Sequence, residues 1–205
     1  MNHPLIQHVT RLAEASIPAI RVMAGNIQVK ICDDAAQVAI EAAAMFDELI
    51  RATPESVIGL ATGSTPEATY AEMARRHRED GLSLAGVSSF NLDEYWGLGG
   101  DHDQSYRYFM HENLFKHVDI LPFNTHVLNG KARFPQLECE GFEQRILAAG
   151  GIDMWLLGIG GNGHIAFNEP GSGVDSRTRL VSLTQETIES NSDGRFFSDA
   201  SEVPR

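Results

Sequence analysis

Two short stretches of the sequence carry side chains that can exchange protons. In the first, Asp93 and Glu94 follow an apolar run, where a carboxylate acts as a general base if its surroundings raise its proton affinity. In the second, His164 is flanked by Asn162 and Glu169, which can hold the imidazole in one tautomer and orientation. A carboxylate and an oriented histidine together indicate proton-transfer chemistry on a small molecule.

The two adjacent carboxylates are not equivalent candidates. Neighbouring residues in a strand point to opposite faces, so at most one of Asp93 and Glu94 is expected to face a given pocket. Either of them could also be a solvated acid in a turn.

The histidine follows a glycine-rich loop, residues 158–163, that matches the GxGxxG fingerprint of dinucleotide-binding proteins. That fingerprint requires a helix that begins within the loop, whereas this sequence soon reaches Pro170 and Gly171. The glycines are therefore interpreted as positions where the backbone passes close to a ligand. No nucleotide cofactor is expected.

A third stretch, Thr62-Gly63-Ser64-Thr65, joins an apolar strand to a helix and indicates a phosphate site. Free N–H groups at the helix N-terminus and the hydroxyls of Ser64 and Thr65 can converge on an anion, aided by about half a positive charge from the helix dipole. The alternative is an ordinary Ser/Thr helix cap. A phosphate also needs a cationic partner, and Arg195 and Arg179 are the candidates.

The elements that must position these residues alternate between strands and helices. This alternation predicts a single α/β domain whose doubly wound, mostly parallel sheet has helices on both faces. Ligands of such sheets bind at the carboxyl ends of the strands, where all three stretches lie. The predicted strands are 27–31, 57–61, one beginning at 87 and 153–159, and the predicted helices are 33–52, 66–80, 103–117 and 134–149.

The two ends of the sequence are less informative. Residues 1–26 are interpreted as an N-terminal lead-in and residues 27–205 as the domain. The last stretch, residues 184–205, is polar and typical of turns, with no closing strand or helix. The domain is therefore expected to lack its C-terminal part, and residues 1–205 alone are expected to be inactive and poorly stable.

Composition narrows the class of partners. The net charge is −12, which disfavours nucleic acid and anionic membranes, and no apolar run is long enough to span a bilayer. Cys32 and Cys139 lie far apart without the spacing of a disulfide framework or zinc site. A cytoplasmic protein without a bound metal is expected.

Four motifs, in this order, resemble the glucosamine-6-phosphate deaminase family: LATGSTP, SSFNLDEYWGL, DHDQSYRYFMHENLF and LGIGGNGHIAFNEPGS. The related 6-phosphogluconolactonases share the fold and phosphate loop but carry DER-like and GHTASLFP-like segments instead. The resemblance implies conversion of glucosamine 6-phosphate and water to fructose 6-phosphate and ammonia, without metal or other cofactor. A lactonase and a non-catalytic sugar-phosphate sensor are the alternatives, and a homo-oligomer is compatible with the resemblance.

The resemblance also assigns roles by motif. Asp93 resembles the acid/base that moves a proton between C2 and C1, and His164 the group that opens the pyranose ring. Glu169 and Asn162 resemble the residues that orient the histidine. The phosphate-binding residues that the resemblance implies are Gly63, Ser64, Thr65 and Arg195.

Three departures from the family pattern qualify these roles. Asn162 lies where many members have aspartate, which implies a less basic histidine. Val181 and Ser182 replace a lysine-containing segment of allosterically regulated members, so activation by an acetylated sugar phosphate is not expected. The family fold also continues past Arg205, with a lysine that helps to hold phosphate.

Overall fold

The computed structural model of the protein describes residues 20–24, 27–192 and 196–204. The strands are β1 (Ile20–Ala24), β2 (Ile27–Ile31), β3 (Val57–Leu60), β4 (Ser88–Asn91), β5 (Thr125–His126) and β6 (Met154–Trp155). The helices are α1 (Ala35–Ala52), α2 (Glu67–Asp80), α3 (Tyr106–Asn113), α4 (Pro135–Ala148) and α5 (Gln185–Asn191). Short 3₁₀ turns lie at Phe115–His117 and Pro122–Asn124.

Four strands form a parallel sheet in the order β5-β4-β3-β6. The chain runs outward from β3 through β4 to β5, and then returns to place β6 on the other side of β3. This reversal makes the sheet doubly wound and opens a crevice between the carboxyl ends of β3 and β6, the usual ligand position in such folds. The predicted fold class is confirmed.

The two faces of the sheet bury separate apolar clusters because successive strand residues point in opposite directions. Ile58 and Leu60 of β3 pack in one cluster with residues of α1, α2 and α3. Val57 of β3 and Phe90 of β4 pack in the other with Phe142 of α4. Helices therefore cover both faces, and the sheet edge that carries the three motifs is held from both sides.

The segment 27–31 is a strand, as predicted, but it does not join the parallel sheet. It pairs antiparallel with β1 across the register Ala24↔Ile27 to Ile20↔Ile31. Two residues, Gly25 and Asn26, separate the strands, a composition typical of tight hairpins. Alternation of strands with helices does not distinguish such a hairpin strand from a member of the main sheet.

The prediction that residues 184–205 contain only turns is wrong in part. Residues Gln185–Asn191 form α5, with Thr184 as the N-cap whose side chain accepts a hydrogen bond from the backbone N–H of Thr187. Ile188 and Thr187 are buried by the helix. A helix of seven residues with one apolar buried position leaves little periodicity to detect.

The other helices agree closely with prediction. Asp34 caps α1 through a 2.8 Å bond from the backbone N–H of Gln37. The predicted helix 103–117 is shorter, because Ser105 caps α3 and a 3₁₀ turn follows Leu114. No helix of the described residues has the length and apolar character needed to cross a membrane.

Candidate active site

Asp93 lies two residues beyond the end of β4 and lines a cavity of about 270 Å³. Burial raises the pKa of its carboxyl to about 7, and the nearby charge of Glu94 adds to this rise. A hydrogen bond from the backbone N–H of Phe167 offsets part of it. A carboxylate with this pKa is present in both protonation states near neutrality, which is the property a general acid/base requires.

Unlike Asp93, Glu94 has a carboxylate that accepts several backbone hydrogen bonds. Its carboxylate accepts hydrogen bonds from the backbone N–H groups of Tyr95 at 2.8 Å, Tyr106 at 2.9 Å and Arg107 at 3.1 Å. Tyr106 and Arg107 open α3, so Glu94 satisfies N–H groups that a helix N-terminus leaves without partners. Burial raises the pKa of Glu94, and these hydrogen bonds oppose the rise.

Both acids line the same cavity, contrary to the expectation that only one would. The strand ends at Asn91, so the alternation of side chains along a strand no longer applies at these positions. The hydrogen bonds distinguish the pair instead. Glu94 holds a helix in place, while Asp93 keeps a carboxylate that can exchange a proton.

His164, Asn162 and Glu169 form a chain of hydrogen bonds. The Asn162 amide nitrogen donates to Glu169 Oε2 at 2.9 Å, and Asn162 Oδ1 lies 2.8 Å from His164 Nδ1. A carboxylate accepts only, so the amide must direct its NH₂ to Glu169 and its oxygen to the imidazole. Nδ1 therefore carries the proton, and Nε2 of the neutral ring is left as the proton acceptor.

Glu169 is almost enclosed, with 9% of its surface exposed. Burial alone would raise its pKa, but hydrogen bonds from Thr187, Asn162 and Thr184 outweigh that effect and lower it. The carboxylate is thus a fixed anion at the end of the chain. It lies 3.7 Å from His164 Nδ1, close enough to stabilise the imidazolium when the ring gains a proton.

Two glycines shape the histidine loop. A Cβ atom at Gly160 would lie 2.2 Å from both Cε1 and Nε2 of His164, so the imidazole packs directly on this backbone. Gly163 has a φ of 87°, a conformation that favours glycine. No helix begins between residues 158 and 169, which confirms the reason for setting the dinucleotide fingerprint aside.

The loop after β3 has the geometry expected of an anion site, although no described contact tests phosphate binding. Gly63 turns the chain with a φ of 104°, and Ser64 and Thr65 are exposed. Pro66 is the N-cap of α2, just before the first helical residue, and the helix has no side-chain cap. The N-cap position itself is therefore not a serine or threonine.

Specific contacts connect the three loops. Tyr106 is hydrogen-bonded to the side chain of Thr62, after β3, and to Tyr95, after β4. The bond from the Phe167 backbone to Asp93 joins the loop after β4 to the histidine segment. The loops after β3, β4 and β6 are therefore held against one another at the carboxyl edge of the sheet.

Not every predicted residue lies in the cavity with Asp93. His164 and the loop 63–65 are absent from its lining, while Arg179 belongs to it. The guanidinium of Arg179 donates to Asn168 Oδ1 and to Ser172 Oγ, both at 3.0 Å, within the segment that follows His164. Arg195 lies outside the described residues.

Sequence reasoning missed the residues that hold the predicted ones. Tyr106 and Thr187 were not singled out, although each contacts a predicted site residue or its loop. Thr184 followed by the acidic Glu186 is a weak helix-start signal near the end of the chain.

Comparison with known proteins places these features in context. A family model described as glucosamine-6-phosphate isomerases/6-phosphogluconolactonase matches residues 32–192. Glucosamine-6-phosphate deaminase 1 of Giardia intestinalis is 56% identical over 180 residues, covering 87% of this chain and 66% of the relative. Glucosamine-6-phosphate deaminase of Shewanella woodyi is 52% identical over 173 residues, covering 84% of this chain and 65% of the relative. The chain thus spans just under two thirds of the length of these curated relatives.

Solved structures agree on the fold. A monomeric glucosamine-6-phosphate deaminase is 39% identical with a TM-score of 0.82, covering 85% of this chain and 71% of that one. A 6-phosphogluconolactonase from Thermotoga maritima is 23% identical with a TM-score of 0.59, covering 72% of this chain and 66% of that one. The second likeness bears on the fold alone.

Proposed function

The chain belongs to the glucosamine-6-phosphate isomerase/6-phosphogluconolactonase family, and from that premise we propose that it converts glucosamine 6-phosphate and water to fructose 6-phosphate and ammonia. The observation that carries the proposal is the pair of unlike proton carriers at one sheet edge. Asp93 has a pKa near 7, and His164 has one nitrogen held as an acceptor. The reaction needs one proton transfer between ring oxygens and another between neighbouring carbons.

In the proposed first step, His164 Nε2 takes the proton of the O1 hydroxyl and delivers one to O5, which opens the pyranose to the aldehyde. Glu169 stabilises the transient imidazolium through its charge, and Asn162 keeps the proton on Nδ1. The proton taken from O1 and the one given to O5 balance, so the imidazole ends the step neutral.

In the second step, the Asp93 carboxylate removes the proton from C2 while O1 takes up a proton from solvent, and an enolamine forms across C1 and C2. It then returns a proton to C1, which leaves an imine at C2. Water adds to that imine and ammonia leaves, giving the ketose. The substrate's own carbonyl and amine accommodate the electrons, so the residues of this chain need only move protons.

The phosphate of the substrate is assigned to Gly63, Ser64 and Thr65, at the start of α2. The helix N-terminus and the two exposed hydroxyls support this assignment. Arg195 is proposed as the cationic partner, on the basis of the family motif.

The test is a product analysis of the full-length protein in D₂O. We expect ammonia and fructose 6-phosphate in equal amounts, with deuterium at C1 of the ketose, because the Asp93 proton exchanges with solvent. 6-Phosphogluconolactone is the competing substrate, since its hydrolysis requires no proton transfer at C2. Lactone hydrolysis without ammonia release would reject the proposal in favour of a lactonase, and substrate binding without turnover would favour a sensor.

A further inference from the structure

Glu169 is held by two residues outside the proton-transfer groups described above. Its Oε1 atom accepts hydrogen bonds from the backbone N–H and the hydroxyl of Thr184, each at 3.2 Å. The hydroxyl of Thr187 donates to the same carboxylate. Thr187 is 3% exposed and Glu169 is 9% exposed, so water cannot readily replace these donors.

These donors determine the direction in which the second carboxylate oxygen of Glu169, Oε2, accepts a hydrogen bond. With Thr184 bonded to Oε1, Oε2 is directed toward the Asn162 amide nitrogen at 2.9 Å. A carboxylate that rotated or took up a proton would no longer require an N–H donor from Asn162. The amide could then turn over, at the cost of the 3.1 Å bond that its Oδ1 accepts from the His164 backbone N–H, and present its NH₂ to the imidazole, which would favour the opposite tautomer.

We propose that Thr184 and Thr187 are positioning residues that set the tautomer of His164 through Glu169 and Asn162. The catalytic consequence rests on the proposed function, whereas the tautomer itself does not. The path runs from the first turn of α5 through a buried anion and an amide to Nδ1, and every link is a hydrogen bond between described residues.

The two threonines differ in what else they do. The Thr184 hydroxyl also accepts a bond from the Thr187 backbone N–H at 3.3 Å, so replacing Thr184 would remove the helix cap as well. The hydroxyl of Thr187 accepts a 3.2 Å bond from the Thr184 hydroxyl but does not make the cap bond to the helix backbone. Thr187→Val therefore removes the donor while it keeps the branched shape and the helix.

The matched control is Ser192→Ala. Ser192 is also buried, at 4% exposure, and its hydroxyl donates to the Glu189 carbonyl at 2.8 Å near the end of the same helix. Its removal costs a helix hydrogen bond of similar burial without touching Glu169. Thr187→Ser keeps a hydroxyl at position 187 and serves as the rescue variant.

The experiment measures the ring nitrogen shifts of His164 by ¹⁵N NMR in the full-length protein, with His164→Gln to assign the signals. The parent protein, Thr187→Ser and Ser192→Ala are expected to show a proton on Nδ1 and an unprotonated Nε2. Thr187→Val is expected to show a mixture of tautomers. Its kcat for glucosamine 6-phosphate should fall about ten-fold, part of the contribution of a positioned acid/base, with KM nearly unchanged.

Unchanged His164 nitrogen shifts in a cooperatively melting Thr187→Val protein would overturn the proposal. Thr187→Ala removes the same donor without a methyl group against the carboxylate, and it replaces the valine variant if that protein does not melt cooperatively. If the parent protein released no ammonia, the proposed function would fail, but the nitrogen shifts would still decide the role of the threonines.

Discussion

Asp93 and Glu169 are both carboxylic acids in buried surroundings at one sheet edge, yet their pKa values move in opposite directions. The pKa of Asp93 rises to about 7, because burial and the charge of Glu94 outweigh one backbone hydrogen bond. The pKa of Glu169 falls, because donors from Thr187, Asn162 and Thr184 outweigh its burial. The balance between burial, a neighbouring charge and hydrogen-bond donors therefore separates a proton carrier from a fixed anion.

The largest effect on activity is expected from replacing Asp93. Asp93→Asn keeps the shape and can still accept a hydrogen bond, but it cannot take a proton from C2. We expect kcat for ammonia release to fall by about 10² to 10⁴, with substrate binding largely retained. Steady-state ammonia release and equilibrium binding of glucosamine 6-phosphate measure the two quantities, and an unchanged rate would remove Asp93 from the mechanism.

The imidazole of His164, which is linked to Glu169 through Asn162, can be displaced without altering any charge. Gly160→Ala places a Cβ atom 2.2 Å from Nε2 of His164, so the imidazole must leave its position over the backbone. We expect a loss of about 10- to 100-fold in kcat, within the contribution of one positioned acid/base.

Gly161→Ala is the control for this effect, because a Cβ atom there meets nothing within 4 Å. It should retain nearly the full rate. Equal rates for the two alanine variants would show that the imidazole need not rest on Gly160.

The opposite pKa shifts predict opposite slopes of stability against pH. Protonated Asp93 is favoured in the folded state, so its contribution is full below about pH 4 and is lost as the pH rises through about 7. A shift from 3.8 to about 7 would correspond to about 4 kcal/mol, but the carboxylate is open to the cavity and we expect about 1 to 2 kcal/mol. Glu169 acts in the other direction, and its contribution is lost as the pH falls.

Thermal unfolding of the parent protein and Asp93→Asn between pH 4 and 8 isolates the Asp93 contribution. The asparagine variant should gain stability relative to the parent as the pH rises. A constant difference across this range would contradict the raised pKa.

The smallest effect is expected from replacing Glu94, the acid next to Asp93. Glu94→Gln removes the charge that helps to raise the Asp93 pKa, while its remaining oxygen can still accept from the start of α3. The acid limb of the kcat/KM profile should move down by a fraction of a pH unit, and α3 should lose about 0.3 to 1 kcal/mol of dipole stabilisation. A shift of that limb to higher pH would contradict the assigned repulsion.

The sequence was sufficient to locate the three loops, because apolar strands followed by small or polar residues identify the carboxyl edge of a parallel sheet. It could not predict which of Asp93 and Glu94 would stay available for proton transfer. That difference depends on the N–H groups of Tyr106 and Arg107, more than ten positions away along the chain. The same holds for Glu169, whose donors Thr184 and Thr187 lie in a stretch that resembles turns.

The fold, too, could be predicted from the sequence only in part. The position of β3 inside the sheet follows from its unbroken apolar run Val57–Leu60, every residue of which is buried. The pairing of β2 with β1 instead of the main sheet depends on which edges are available in three dimensions, and a local pattern contains no such information.

The hydrogen bond from the Phe167 backbone to Asp93 links the two proposed proton carriers. Phe167 lies between His164 and Glu169, so the segment that carries the proposed ring-opening group also supplies a backbone donor that limits the rise of the Asp93 pKa. An insertion or backbone change near His164 would alter the acidity of Asp93 as well. Under the proposed function, a backbone change that affects one of the two proton carriers is therefore expected to affect the other.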